Sequence, residues 1–238
     1  MSSVGAPTRA ALFDIDGTLL HGHGSGRRAF LRALEEIHRR PIDDAGFSFA
    51  GRTDVEILKK VLAQNDLPDP TPEEILHFAT LYCRHLEHEL SLLDGPLLYP
   101  GAERLVAAVC ARPDWAPGLL TGNLREGARR KLASTGLWER FTFGAFGDDH
   151  EDRNALVPIA LRRALEVHSA AIPPGRAVVI GDTERDVACA RAGGAKVIAV
   201  RNGWDDGVAL RRAEPDAYFE DLTDTGALLA ALESLTAD

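Results

Sequence analysis

Residues 13–20 read FDIDGTLL, an apolar run that ends in Asp14 and Asp16 and turns at Gly17. Two acids directly after a run fit for burial need an explanation. A charge where water is scarce is costly unless something pairs with it. Residues 10–16, AALFDID, read as the first strand of a sheet. Two residues apart on a strand, Asp14 and Asp16 are expected to face the same way.

Working outward, four further apolar runs end in polar or turn residues: GLLTGN (118–123), FTFGAFGDD (141–149), AVVIGD (177–182) and AYFED (217–221). KVIAV (196–200) completes the set. Amphipathic stretches fall between them, at 101–111, 124–135, 155–168, 184–192 and 223–236. Gly136 and the pair Gly193-Gly194 are helix stops. Strands alternating with helices predict βαβ units and a parallel sheet, a three-layer Rossmann-like α/β core.

Residues 20–96 break this rhythm and read as helices over 25–39, 54–64 and 73–92. Thr53 with Glu56 and Thr71 with Glu74 are capping boxes, and Pro72 sits at the first helical position. The spacing predicts a helical module at 20–96 inserted after the first strand. The core is then 1–19 and 97–238, with the return point near GPLLYPG (95–101).

Composition narrows the partners. The chain has 238 residues, is 45% hydrophobic and carries a net charge of −9. That is room for one sizeable core with a smaller insert. The negative balance argues against nucleic acid or an anionic membrane as partner. No apolar run approaches the ~18 residues of a membrane span. Cys83, Cys110 and Cys189 lie far apart and suit buried thiols in a reducing cytoplasm. His85 and His88 share a helix face without the glutamate spacing of a zinc motif. His21 and His23 fall in the loop after the first strand. Trp115, Trp138 and Trp204 show no stacking pattern.

In an open parallel sheet, ligands bind beyond the carboxyl ends of the strands. Those ends offer Asp14 and Asp16, then Thr121 and Asn123, then Asp148 and Asp149, then Asp182 with Asp186. Carboxylates converging without a matching set of bases suggest a hard divalent cation. Magnesium suits carboxylates, carbonyl oxygens and water, and binds alongside phosphate.

DIDGT, LLTGN and GDTERD, in that order along nearly the whole chain, resemble motifs one, two and four of the haloacid dehalogenase-like phosphohydrolases. The arrangement is most similar to the phosphoglycolate phosphatase-like branch, with 20–96 as its cap domain. The resemblance implies a Mg2+-dependent phosphatase acting on a small phosphorylated metabolite. It makes Asp14 the nucleophile that forms an aspartyl-phosphate and Asp16 the general acid and base. It implies that Thr121 and the Gly122 N–H bind a phosphate oxygen, with Asn123 assisting. It implies metal ligands Asp14, the Asp16 carbonyl and Asp182, with Asp186 either a further ligand or a support.

The chain departs from the family at motif three, where a lysine is expected. Here no lysine lies between Lys131 and Lys196, and Arg153 occupies the place. Its fork suits bidentate contact with a carboxylate or phosphate, and Lys131 is the alternative. Arg52, in the turn before the helix at Asp54, is expected to hold a second anionic group of the substrate; a surface ion pair with Asp54 is the other reading. A sugar-phosphate mutase shares the same core residues. A dehalogenase does not need the acid that Asp16 supplies.

Overall fold

The computed structural model describes residues 6–94, 97–202 and 207–237. Trp204 and the Gly95-Pro96 step of the expected return point lie outside them. The strands are β1 (Arg9–Phe13), β2 (Trp115–Leu120), β3 (Phe143–Ala145), β4 (Ala177–Gly181), β5 (Lys196–Val200) and β6 (Ala217–Phe219). They form one sheet in the order β3-β2-β1-β4-β5-β6, and every pairing is parallel. Phe13 stands opposite Leu119 on one side and Ile180 on the other.

The helices are α1 (Ser25–His38), α2 (Asp54–Gln64), α3 (Pro72–Ser91), α4 (Ala102–Cys110), α5 (Arg125–Ala133), α6 (Leu156–His168), α7 (Glu184–Ala192), α8 (Val208–Arg212) and α9 (Thr225–Leu235). The central strands are buried on both faces, as parallel strands covered by helices must be. Period two sorts them. Ala11 and Phe13 pack with Leu105, Leu132 and Leu228, from α4, α5 and α9. Ala10 and Leu12 pack with Val157, Val187 and Leu210, from α6, α7 and α8.

α1, α2 and α3 have a core of their own, with Phe30, Leu58, Phe78 and Tyr82 buried together. The chain leaves and returns at one place. His21 N–H donates to the Leu97 carbonyl at 2.7 Å, and Tyr99 N–H donates to Leu19 at 3.0 Å. Both threonines cap their helices, but only one of the two expected boxes closes: the Glu56 carboxylate pairs with Arg52 and Lys60 instead of returning to Thr53. The Thr53 hydroxyl accepts from Glu56 N–H at 3.1 Å. Thr71 and Glu74 close a reciprocal box.

β1 is shorter than expected. It stops at Phe13, so Asp14 and Asp16 stand past its end. The Ile15 carbonyl there accepts from Leu19 and Leu20, and Gly17 adopts φ 82°. The two acids therefore do not share a strand face. The tight turn aims them at different partners.

Candidate active site

β1 lies where strand order reverses: β2 and β3 extend to one side, β4 to β6 to the other. Its carboxyl end is where an open α/β sheet leaves a crevice. The Asp14 carboxylate is buried there, 3.1 Å from Arg153, and Arg153 also grips Asp186. Arg153 begins a short helical turn leading into α6, and its side chain is fully buried. Burial pushes the Asp14 carboxyl up from 3.8 to about 6, against the pull of Arg153 and helped by Asp186. Burial also works against the Arg153 charge, but the two carboxylates overcome it and hold the guanidinium protonated.

Asp16 faces the other way. Its carboxylate, about one-third exposed, accepts from Lys131 Nζ at 2.6 Å and from Asn123 Nδ2 at 2.7 Å. Asn123 Nδ2 also reaches the Thr121 hydroxyl at 2.8 Å, and Lys131 Nζ bonds the Asn123 carbonyl oxygen. Arg153 and Lys131 are thus not alternatives for one place. Each cation serves a different acid.

Asp182, at the end of β4, accepts from the Thr18 hydroxyl at 3.0 Å. The Gly17 backbone passes so close that a Cβ there would stand 2.1 Å from an Asp182 oxygen. One Asp186 oxygen accepts from the Thr183 N–H and hydroxyl, and the other meets Arg153. Asp14, Asp182 and Asp186 are all buried, and a carboxylate oxygen from each lies within 4.8 Å of the other two. Among the described residues, Arg153 is the guanidinium paired with Asp14 and Asp186 in this buried cluster of three acids. The donor set fits a hard cation.

The inserted helices close over this point. Asp54 N–H donates to the Gly122 carbonyl at 2.7 Å, and the Asp54 carboxylate accepts from Leu124 N–H at 2.8 Å. The Thr53 hydroxyl donates to the Glu151 carbonyl at 2.6 Å. Between the two layers lies a cavity of about 480 Å³ that opens to solvent. Asp14, Asp16, Arg153 and Lys131 line it, as do Thr121, Gly122, Asn123 and Arg52. The sequence-expected residues therefore converge, with Asp182 and Asp186 just behind. Arg52 is ion-paired with Glu56 rather than with Asp54, and it lies over the Phe47 ring at 4.7 Å.

Asp148 and Asp149 are used elsewhere. Asp148 accepts from Arg125 N–H at the start of α5, at 3.0 Å, and Asp149 makes a two-point pair with Arg163. Sequence reasoning missed the role of Asp54, which it treated as the start of a helix and as a surface partner for Arg52, whereas the residue is buried against the Leu124 N–H. It also missed Asn202, whose amide donates to the carbonyls of Gly17 and Thr18 at 2.7 and 3.1 Å. The one available signal was an asparagine two residues past the end of a buried strand.

The model of the haloacid dehalogenase-like hydrolase family matches residues 8–194. The chain belongs to that family. Among curated relatives, a phosphoglycolate phosphatase of Rhodospirillum rubrum is 28% identical over 198 residues, covering 82% of this chain and 80% of the relative. One from Thiobacillus denitrificans is 26% identical over 230 residues, 96% of this chain and 99% of its own. The fold is that of CbbY from Rhodobacter sphaeroides, solved with phosphate, at TM-score 0.71, 21% identity and coverage of 95% and 99%. A β-phosphoglucomutase from Clostridium difficile superposes at TM-score 0.73 with 16% identity, covering 95% and 97%. The protein is an enzyme, a phosphatase of the haloacid dehalogenase-like family. Such enzymes use a metal ion, and the buried acid cluster matches that need. No helix among the described residues is long and apolar enough to cross a membrane.

Proposed function

We propose that this phosphatase hydrolyses a small phosphorylated metabolite through an aspartyl-phosphate on Asp14. The relatives named phosphoglycolate phosphatase make 2-phosphoglycolate the first substrate to test. The observation that carries the proposal is the division of labour at the end of β1. Asp14 is locked against Arg153 in a dry place, while Asp16, two residues on, opens into the cavity beside Lys131. A nucleophile must be fixed, and an acid and base must reach the leaving group and then water.

Asp14 attacks phosphorus, and the bond to the substrate alcohol breaks. Asp16 gives that alcohol its proton and takes one from the water that hydrolyses the intermediate, so inorganic phosphate leaves and both acids are restored. Thr121, the Gly122 N–H and Asn123 hold the phosphoryl oxygens, and Arg153 neutralises the charge that builds beside Asp14. Mg2+ would be held by Asp14, Asp182 and the Asp16 carbonyl, where it would neutralise phosphoryl charge. Asp186, already spent on Thr183 and Arg153, orients that set. Arg52 would have to share its guanidinium between Glu56 and a second anionic group of the substrate. Residues 20–96 are the cap, and 1–19 with 97–238 the core. Three unpaired cysteines suit a cytoplasmic enzyme.

The test is phosphate release over a metabolite panel, with and without Mg2+. Inorganic phosphate should appear and should need the metal. Phosphate moved to a second sugar hydroxyl instead would favour a mutase. Chelator-resistant turnover would overturn the metal assignment.

A further inference from the structure

We infer that the alcohol part of the substrate carries an aromatic or heteroaromatic ring, seated against Phe47 and Phe49. The inference rests on the phosphatase proposal above and adds the class of leaving group. The cavity holds about 480 Å³, within the range of sites for drug-sized ligands. A two-carbon phosphorylated acid would leave much of it unfilled.

The wall belonging to the inserted module is aromatic. Phe47 and Phe49 sit 6.0 Å apart between ring centres, Phe49 and Phe30 5.2 Å, and Phe30 and Tyr82 5.8 Å. All four line the cavity. Phe30 and Tyr82 are buried in the helical core and are explained by packing. Phe47 and Phe49 pack against the edge of that core but are not covered by it. They stand half-buried on a turn where Gly46 and Ser48 are exposed. Large rings held partly open at a cavity wall favour a flat, apolar guest.

The charges on that wall are already matched. Arg52 is paired with Glu56 and lies over Phe47. Arg27 is paired with Asp44 and lies 5.9 Å from the centre of the Phe49 ring. A substrate carboxylate here would have to share one of these guanidiniums with its acid or displace that acid, and bringing two carboxylates together has a cost. A neutral ring needs no such exchange. With the phosphate at Asp14 and Thr121, the ring would extend across the cavity to the opposite wall.

The experiment compares benzyl phosphate, a nucleoside 5′-monophosphate and 2-phosphoglycolate. Benzyl phosphate is the useful probe because its leaving group is a primary alcohol, as glycolate is. The wild type should favour a ring-bearing ester over 2-phosphoglycolate by about tenfold or more in kcat/KM. Phe49→Ala should lower the ratio of kcat/KM for benzyl phosphate to that for 2-phosphoglycolate by about tenfold, mainly through KM. Phe49→Leu keeps apolar volume without the ring face. It should lower the same ratio even if the alanine variant fails to fold. A preference for 2-phosphoglycolate, or an unchanged ratio in Phe49→Leu and Phe47→Leu, would overturn the ring assignment and leave the phosphatase standing. No phosphate release from any ester, with no phosphoenzyme, would overturn both.

Discussion

Lys131 Nζ lies 2.6 Å from Asp16, while Arg153 lies 3.1 Å from Asp14. Two buried cations from different helical segments are thus assigned one each to the two acids of DIDGT. Arg153 pairs with the residue proposed as nucleophile, and Lys131 with the one proposed as acid and base. Arg153→Ala leaves Asp14 and Asp186 facing each other without their shared cation. It should cost about 3–5 kcal/mol of stability, the range for breaking a buried pair. It should also lower kcat by about 100-fold or more. Lys131→Ala should cost less activity, because Asn123 still holds Asp16. Denaturant unfolding and steady-state kinetics on both variants check this, and a reversed order would contradict the assignment.

Asp14→Asn should fold and yet form no covalent phosphoenzyme. Its turnover should fall to background, since an amide is not a nucleophile toward phosphorus. Acid-quenched labelling from a radioactive substrate reads the intermediate directly. Asp182→Asn should retain the bond from Thr18 and lose most of the metal dependence, as titrated by Mg2+ activation. Wild-type rates in either variant would remove that residue from its role.

Asp54 gives a pH signature. Burial pushes its carboxyl up from 3.8 to about 6, with Lys131 and the Leu124 N–H pulling the other way. A raised folded-state value means that the folded protein binds the proton more tightly than the unfolded chain does. Stability from this group is then full below about pH 4 and is lost as pH rises toward 6. Asp54→Asn keeps an acceptor for Leu124 N–H and cannot ionise. Relative to wild type, it should gain about 2–3 kcal/mol between pH 4 and pH 7, at ~1.4 kcal/mol per pKa unit. Urea unfolding of both proteins at the two pH values measures the difference, and a flat difference would refute it.

Gly122 is where the inserted module meets the core. A Cβ at that position would sit 1.9 Å from the Arg52 carbonyl oxygen. Gly122→Ala should push residues 51–54 away and weaken the 2.7 Å bond from Asp54 N–H. The core sheet lies elsewhere, so stability should change by only about 1–3 kcal/mol. kcat/KM should fall by about tenfold or more, because the cavity no longer closes. Faster amide exchange at 51–54, with unchanged protection in β1 and β4, would identify the cause.

The one-dimensional pattern determined most of the architecture. Apolar runs at β1, β2, β4 and β5, the helix stops at Gly136 and Gly193-Gly194, and the two threonine caps before α2 and α3 are local signals. Local signals are readable because helix and strand periods and capping chemistry act over a few residues. The same holds for the order of DIDGT, LLTGN and GDTERD, which places their acids and threonine at neighbouring strand ends. What only tertiary structure decided lies between distant residues. Lys131 and Asp16 are 115 positions apart, and Asn202 and Gly17 are 185 apart. Nothing local states which of two cations meets which acid, because the choice depends on how α5 and the turn before α6 pack against the sheet. Asp54 shows the same limit. In the sequence it begins a helix; in the fold it closes the inserted module onto the Gly122 loop, because burial and hydrogen bonding to a distant backbone set its chemistry.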